Sequence, residues 1–403
     1  MNSVTSTLDV PLPPRLVRPL IACLERFAVG TLRLETPEGY ELRFGDGGEP
    51  QADLQLKNWS ALRRIFQHGD IGLAECYRDG LVKTRDLTSL IRLGIRNQGV
   101  LERAIHGNPL LNLGYRLRHL LRRNSRRGSE RNIQAHYDLG NDFYQLWLDP
   151  SMTYSSACFN ARRTDDLLLA QQAKYQRMLD LLGARPGDSI LEIGCGWGGF
   201  AEHAARQGMR VHGVTLSHEQ LAYARSRIQQ ADLQELASFE LRDYRDLRGK
   251  YDHIVSIEML EAVGDAYWPG YFRQLYALLR PGGRAALQSI VIQESHFERY
   301  RRGTDFIQQY IFPGGMLPSP PRIVEQALSQ GLEVNRLESF GADYAETLRR
   351  WRRRFEANRE AVRQLGFDTA FIRLWRFYLA YCEAGFDEGR IDLLQVSLEK
   401  GTE

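Results

Sequence analysis

A chain of 403 residues with 43% hydrophobic residues can bury one large core and a smaller one, and a formal charge of +3 is too small to dictate a partner. Five cysteines, odd in number and never in a CxxC pair, argue against a disulfide framework or zinc ribbon and for a reducing compartment; the nine histidines form no HExxH or HxxxH pair, so no metal site is expected. The start, "MNSVTSTLDVPLPPRLV", lacks a basic then apolar leader, and no apolar run approaches the ~20 residues that span a bilayer, so a cytoplasmic chain is expected.

In chain order, "TLRLETPEG" and "YELRFG" alternate about a Pro-Glu-Gly turn and predict a hairpin. "ADLQLKN" predicts a third strand, and "WSALRRIFQHG" and "TRDLTSLIRLGIRN" predict helices. Residues 1–105 are therefore expected to hold a small α+β domain without a catalytic cluster. A basic linker follows over 106–132, with seven arginines between 116 and 131. From residue 133 the sequence turns aromatic and amide-rich, and a β/α alternation begins. Its predicted strands are "SILEI", "RVHGV", "SFELRD", "DHIVSI", "RAALQSIVI", "LEVNRLESF" and "DLLQVSLEK". Seven strands over 133–403 form one expected catalytic domain, with a Trp-, Arg- and Tyr-rich helical insert between the last two.

The first of these strands runs into "GCGWGGF", a glycine turn opening a helix. Gly194, Gly196 and Gly199 satisfy GxGxxG, and Gly194, Gly196 and Gly198 satisfy GxGxG; glycine lets backbone approach a ligand where a strand feeds a helix N-terminus. A P-loop is excluded because no Gly-Lys-Ser/Thr follows. A dinucleotide is disfavoured because the position for a ribose-binding carboxylate reads "GVTLSHEQ".

With "HYDLGNDFYQLWLDPSMTYSSACF" upstream and "YDHIVSIEMLEAVG", "YIFPGGMLPS" and "FGADYAETLRRW" downstream, this stretch resembles the cyclopropane-fatty-acyl-phospholipid synthase family, which contains the mycolic-acid cyclopropane synthases and methyltransferases. The resemblance implies a Rossmann-like, seven-stranded α/β methyltransferase domain that binds S-adenosylmethionine (SAM). Gly194, Gly196 and Gly198 would face its methionine portion, Thr215, Leu216 and Gln220 its ribose and adenine, and Asp243 and Tyr244 the adenine. Tyr154 and Ser155 would close over the sulfonium. Ordinary readings stand beside these, a strand-end cap for Asp243 and core packing for Tyr244.

The chemistry so implied joins a methyl group to an isolated cis double bond of a membrane phospholipid, leaving a carbocation that must be shielded from water. A base then removes a proton. Loss from the new methyl closes a cyclopropane; loss from a neighbouring carbon gives a methylated olefin. In the family a bound bicarbonate is that base, held by a Glu, a His, a Tyr and backbone groups, which fall here on Glu261, Gln288, Tyr344 and the backbones of Ser156 and Ile290. Glu258, one turn before Glu261, reads as a structural or cofactor-side residue. Three positions depart from the pattern: "YSCAYF" reads "YSSACF", the His of "FEH" is Ala262, and the His of "LHTI" is Gln288. Glutamine donates a hydrogen bond but takes no proton near neutrality, so the grip on bicarbonate and the identity of the product are the open points. Cys158 reads as a small buried thiol.

The arginine run of 116–131 and "LRRWRRRF" over 348–355 are candidate contacts for an anionic membrane surface, the solvated face being the plainer reading. No nucleic-acid motif accompanies them. The expected protein is peripheral at the inner membrane face, with an oligomer permitted. Part of the stripe Phe371, Leu374, Trp375, Tyr378 and Leu379 is expected to line an acyl tunnel. A lipid-binding protein that kept the fold without its chemistry is the alternative from another class.

Overall fold

The computed structural model describes residues 14–105, 139–159 and 166–402. The arginine run of 116–131 lies outside the described residues. The chain divides into two compact units, Met1–Tyr115 with Phe367–Glu388, and Arg116–Gly366 with Gly389–Glu403.

In the first unit, strands β1 (Thr31–Glu35), β2 (Glu41–Gly45), β3 (Gln51–Leu56) and β4 (Val82–Lys83) form a sheet of order β2-β1-β3-β4. The hairpin forms as its alternation predicts, with Leu34 opposite Leu42. The aromatic insert departs from the expected boundaries. Its helix, Thr369–Asp387, belongs to this unit rather than to the catalytic one. Phe377 packs on Tyr77 at 6.3 Å, Tyr381 donates to Asp70 at 2.8 Å, and the following Glu388 pairs with Arg92 and Arg96. Trp375, Tyr378 and Leu379 are buried there, so the helical spacing of the stripe records a core-facing side.

The second unit holds β5 (Ser189–Ile193), β6 (Arg210–Thr215), β7 (Ala237–Leu241), β8 (Tyr251–Ile257), β9 (Leu279–Ile292), β10 (Leu332–Ser339) and β11 (Ile391–Lys400), ordered β10-β11-β9-β8-β5-β6-β7. These are the seven expected strands. β5 to β9 are parallel, and β11 enters antiparallel beside β9. β5 is buried on both faces, as a central parallel strand must be, and apolar but for Ser189 and Glu192. Tyr271, Phe272 and Leu275 of the helix Trp268–Leu278 cover one face of the sheet; Met178, Leu179 and Leu182 of the helix Leu167–Leu182 cover the other with Phe200 and Ala204. The chain winds outward from β5 through β6 and β7, then returns to β8 on its other side. The carboxyl ends of β5 and β8 therefore flank a topological switch point, the place where open α/β sheets bind ligands.

Candidate active site

The glycine turn follows β5, and its three glycines do different work. A Cβ on Gly196 would meet nothing within 4 Å, so its backbone, at φ +53°, borders open space that a ligand can fill. A Cβ on Gly198 would lie 3.0 Å from Ala224 and 3.2 Å from Phe239, and one on Gly194 would lie 3.1 Å from Met259 Cγ. Those two positions are small for packing. Glu192, just before the turn, is buried with Oε2 lacking a hydrogen-bond partner among the described residues, and burial pushes its carboxyl well above the usual range. An open glycine backbone beside an unsatisfied buried acid fits a cationic ligand with an amino group, as SAM is.

At the end of β6, Thr215 donates to Gln220 Oε1 at 2.9 Å and accepts from the Ser217 N–H at 3.1 Å, locking the turn; Leu216 beside it is half-buried. Both oxygens of Asp243 are taken by Arg245, through its backbone N–H at 2.9 Å and its guanidinium at 2.8 and 2.5 Å. The strand-end cap is therefore its visible role. Tyr244 meets Tyr271 edge-on at 5.4 Å, and burial raises its hydroxyl to about 12.

Tyr154 stands among Tyr144, Trp147 and Trp351, with ring centroids at 5.5, 5.3 and 5.5 Å, and Tyr344 meets Trp351 at 6.1 Å. Ser155 is gripped from the helix Leu167–Leu182: Gln171 Nε2 donates to its carbonyl at 2.9 Å and Lys174 Nζ to its hydroxyl at 2.7 Å. Lys174 is fully buried, and burial lowers its ammonium to about 8 against the pull of Glu258, Asp149 and Glu192.

The residues assigned to the base do come together, but around a different carboxylate. Glu258 Oε1 accepts from the Ser156 N–H and from Gln288 Nε2, both at 2.8 Å, and Oε2 accepts from the Tyr344 hydroxyl at 2.6 Å. Gln288 is itself aimed: its Oε1 accepts from Gln395 Nε2 at 2.8 Å, and Gln395 Oε1 accepts from Arg177 Nε at 2.6 Å. Glu258 sits at φ +52°, a left-handed conformation that costs a non-glycine residue about 1–3 kcal/mol and that clusters at functional sites. Burial raises its carboxyl, opposed first by the Tyr344 hydroxyl and the Ser156 N–H.

Glu261 is thus not where Tyr344, Gln288 and Ser156 meet. It lies in the short 3-10 turn Leu260–Ala262, where the turn directs its side chain to the Ile290 N–H instead. Burial and the neighbouring Glu258 push its carboxyl up to about 8. Every donor assigned to the ion is therefore engaged by one of two carboxylates of the chain. Cys158 is buried with its thiol raised to about 11, which leaves it unreactive.

Two residues were not singled out from the sequence, and a third was given another role. Lys174 carried a signal, a lysine in the buried stripe Ala170, Lys174, Met178; so did Glu192, an acid inside an apolar parallel strand. Glu258, just after β8, reads as a structural or cofactor-side residue, because its three donors are not visible in the sequence.

The mycolic acid cyclopropane synthetase model matches residues 124–396. A tuberculostearic acid methyltransferase from Mycobacterium tuberculosis is 41% identical over 375 residues, covering 91% of this chain and 87% of that protein. The cyclopropane-fatty-acyl-phospholipid synthase of Escherichia coli strain K12 is 35% identical over 362 residues, 88% of this chain and 90% of that one. Among solved structures, the mycolic acid cyclopropane synthase CmaA1 complexed with SAH and CTAB superposes with a TM-score of 0.63 at 32% identity, over 67% of this chain and 98% of that chain. The switch-point site on this sheet, the open glycine turn and these likenesses agree: the chain belongs to the mycolic acid cyclopropane synthetase family and is a SAM-dependent methyltransferase.

Proposed function

We propose that the protein methylates the cis double bond of unsaturated acyl chains in membrane phospholipids and releases a methylated olefin, with the carboxylate of Glu258 as the base. The carrying observation is that Ser156, Gln288 and Tyr344 present their donors to Glu258. Such a donor set is satisfied by a carboxylate belonging to the chain, which supports Glu258 rather than a separate bicarbonate as the base.

SAM supplies an electrophilic methyl group. The residues supply the rest. The rings of Tyr154, Trp147 and Trp351 wall off water and offer π faces to a cationic carbon. When the methyl carbon bonds to one olefinic carbon, the other is left electron-deficient; Glu258 takes a proton from an adjacent carbon, and that C–H pair becomes the new double bond. A raised carboxyl pKa suits a base near neutral pH. Glu258 is anchored just after the end of β8, so the proton it reaches is set by backbone. The 41%-identical relative is named for methyl transfer rather than ring closure, which favours the olefin over the cyclopropane. Association with the membrane surface is peripheral on this reading; no helix among the described residues is long and apolar enough to cross a membrane.

The test is incubation with SAM and phosphatidylglycerol vesicles carrying cis-unsaturated chains, in carbonate-free and carbonate-supplemented buffer. Gas chromatography of the acyl esters before and after hydrogenation separates a ring from an olefin of equal mass. Olefin at equal rates in both buffers is expected. A cyclopropane product, or a requirement for bicarbonate, would overturn the assignment.

A further inference from the structure

The second unit carries a further cleft, lined by none of Glu258, Glu261, Gln288 and Tyr344. It encloses about 540 Å³ between the turn at Asp149 and Pro150, the start of the helix Leu167–Leu182, and three arginines of the helix Gly341–Ala357. The arginines are Arg350, Arg353 and Arg354. Arg350 is held in place, donating to Glu346 Oε1 at 2.8 Å and lying over the Phe159 ring at 4.4 Å. Arg353 and Arg354 are exposed, and neither has an ion-pair partner among the described residues. Two carboxylates share the wall: Asp149 Oδ2 accepts from the N–H and hydroxyl of Ser151 while its buried Oδ1 has no hydrogen-bond partner among the described residues, and Asp166 caps its helix through the Leu168 N–H. Counted on the lining residues, three arginines against two aspartates leave one net positive charge, and the Arg353 and Arg354 guanidinium forks stay open, the fork geometry that suits a phosphate.

The same helix carries Tyr344, whose hydroxyl holds Glu258. At ~1.5 Å of rise per residue, Arg353 and Arg354 stand roughly 14–15 Å along the axis from Tyr344. In a bilayer with a core of ~30 Å and a total of ~40–45 Å, the middle of one acyl chain lies about 12–15 Å from the headgroup level. The two lengths match. A lipid lying along this helix with its phosphate at the arginines would have the middle of its chain level with Tyr344, the residue that holds Glu258.

We propose that this cleft binds the phosphodiester of the substrate lipid and so sets how far along the acyl chain the methyl group is added. The proposal rests on the reading that unsaturated phospholipid is the substrate, and a binding measurement without turnover separates the two. Saturated dihexanoyl phosphatidylglycerol, below its micellar concentration, cannot be methylated and reports on the cleft alone. Calorimetry is expected to show it binding wild type at least 10-fold more tightly than the Arg353→Gln/Arg354→Gln variant. Dihexanoylglycerol, which lacks the phosphate, should bind both equally, and SAM affinity should be unchanged. Inorganic phosphate should compete only weakly; if it binds as tightly as the lipid, a free phosphate is the ligand and the headgroup assignment falls. Equal lipid affinity in variant and wild type, or loss only for an acyl thioester on an acidic carrier protein, would overturn it too. In turnover, the variant should lose about 10-fold in kcat/KM through KM on phosphatidylglycerol, and its product should spread over double-bond positions that wild type discriminates.

Discussion

The carboxyl ends of β5 and β8 are neighbours in the sheet and are built on opposite principles. At β5 the chain withdraws: Gly196 has open space where a side chain would be. At β8 the chain fills in: Glu258 occupies the meeting point of three donors and Glu261 takes a fourth. One end is shaped by what it leaves out for a ligand, the other by an anion supplied from its own sequence. A cofactor must come and go with each turnover, so its half stays open. A base restored by a single proton transfer can be a fixed part of the protein.

The largest effects should come from breaking the filled end. Glu258→Gln keeps the shape and removes the basic oxygen, so turnover should fall by about 10²–10⁴-fold while SAM affinity holds within about threefold, checked by product chromatography and calorimetry. Glu258→Gly should be informative beyond that. It relieves the left-handed strain and leaves the Ser156 N–H, Gln288 and Tyr344 without their acceptor, making room for a small anion. Its low activity should rise with added bicarbonate, which should do nothing for wild type. Activity in Glu258→Gln close to that of wild type would mean that the base lies elsewhere.

Breaking the open end should cost binding. Gly196→Val puts a β-branched side chain into the ligand's space at φ +53°, and SAM affinity should drop by more than about 10²-fold. Gly198→Ala should by contrast act on stability, by about 1–3 kcal/mol, because its Cβ would press on Ala224 and Phe239. Equal effects of the two changes on SAM affinity would erase the distinction between them.

Most of the sheet was legible because its signals are local. The central strands of the second unit are largely apolar and the edge strand β10 alternates, each bounded by turn residues, and the glycine turn is contiguous. The meaning of Glu258 is not local: its donors lie 102, 30 and 86 residues away in the chain, and only the folded sheet brings them together. Glu261 took the role in the sequence reading because a motif placed it there. The 3-10 turn after β8 rotates its side chain to Ile290 instead. The insert Thr369–Asp387 misled for a related reason, since helical spacing shows that a face is buried without showing in which unit.

A smaller effect should separate the two acids by pH. The folded carboxyl of Glu261 stands at about 8, above the ordinary value of 4.5, so the folded state keeps a proton that the unfolded state releases between those values. Stability from this group is full below about pH 4.5 and is lost as pH rises towards 8. Glu261→Gln preserves the acceptor for the Ile290 N–H without the titration, so its urea midpoint should vary less than wild type's between pH 5 and pH 8. A wild-type midpoint that rises over that interval relative to the variant would contradict the burial of a protonated acid.

The smallest change is expected at Gln288, where the sequence departs most visibly from its family. The amide is clamped between Gln395, which donates to its oxygen, and Glu258, which accepts from its nitrogen. A neutral histidine can replace both contacts, accepting on one ring nitrogen and donating from the other. Gln288→His should therefore change turnover by less than about 10-fold and leave the product an olefin, because Glu258 still fills the focus. Below about pH 6.5 the imidazolium would pair with Glu258 and weaken it as a base, so the variant's rate should fall at higher pH than wild type's. Histidine should matter far more once the carboxylate is gone. In Glu258→Gly/Gln288→His a bound bicarbonate would gain a donor that can carry charge, and bicarbonate-dependent cyclopropane should appear, read by chromatography before and after hydrogenation. If Gln288→His alone converts the product to cyclopropane, residue 288 rather than Glu258 decides between ring and olefin, and the contrast drawn for the end of β8 fails.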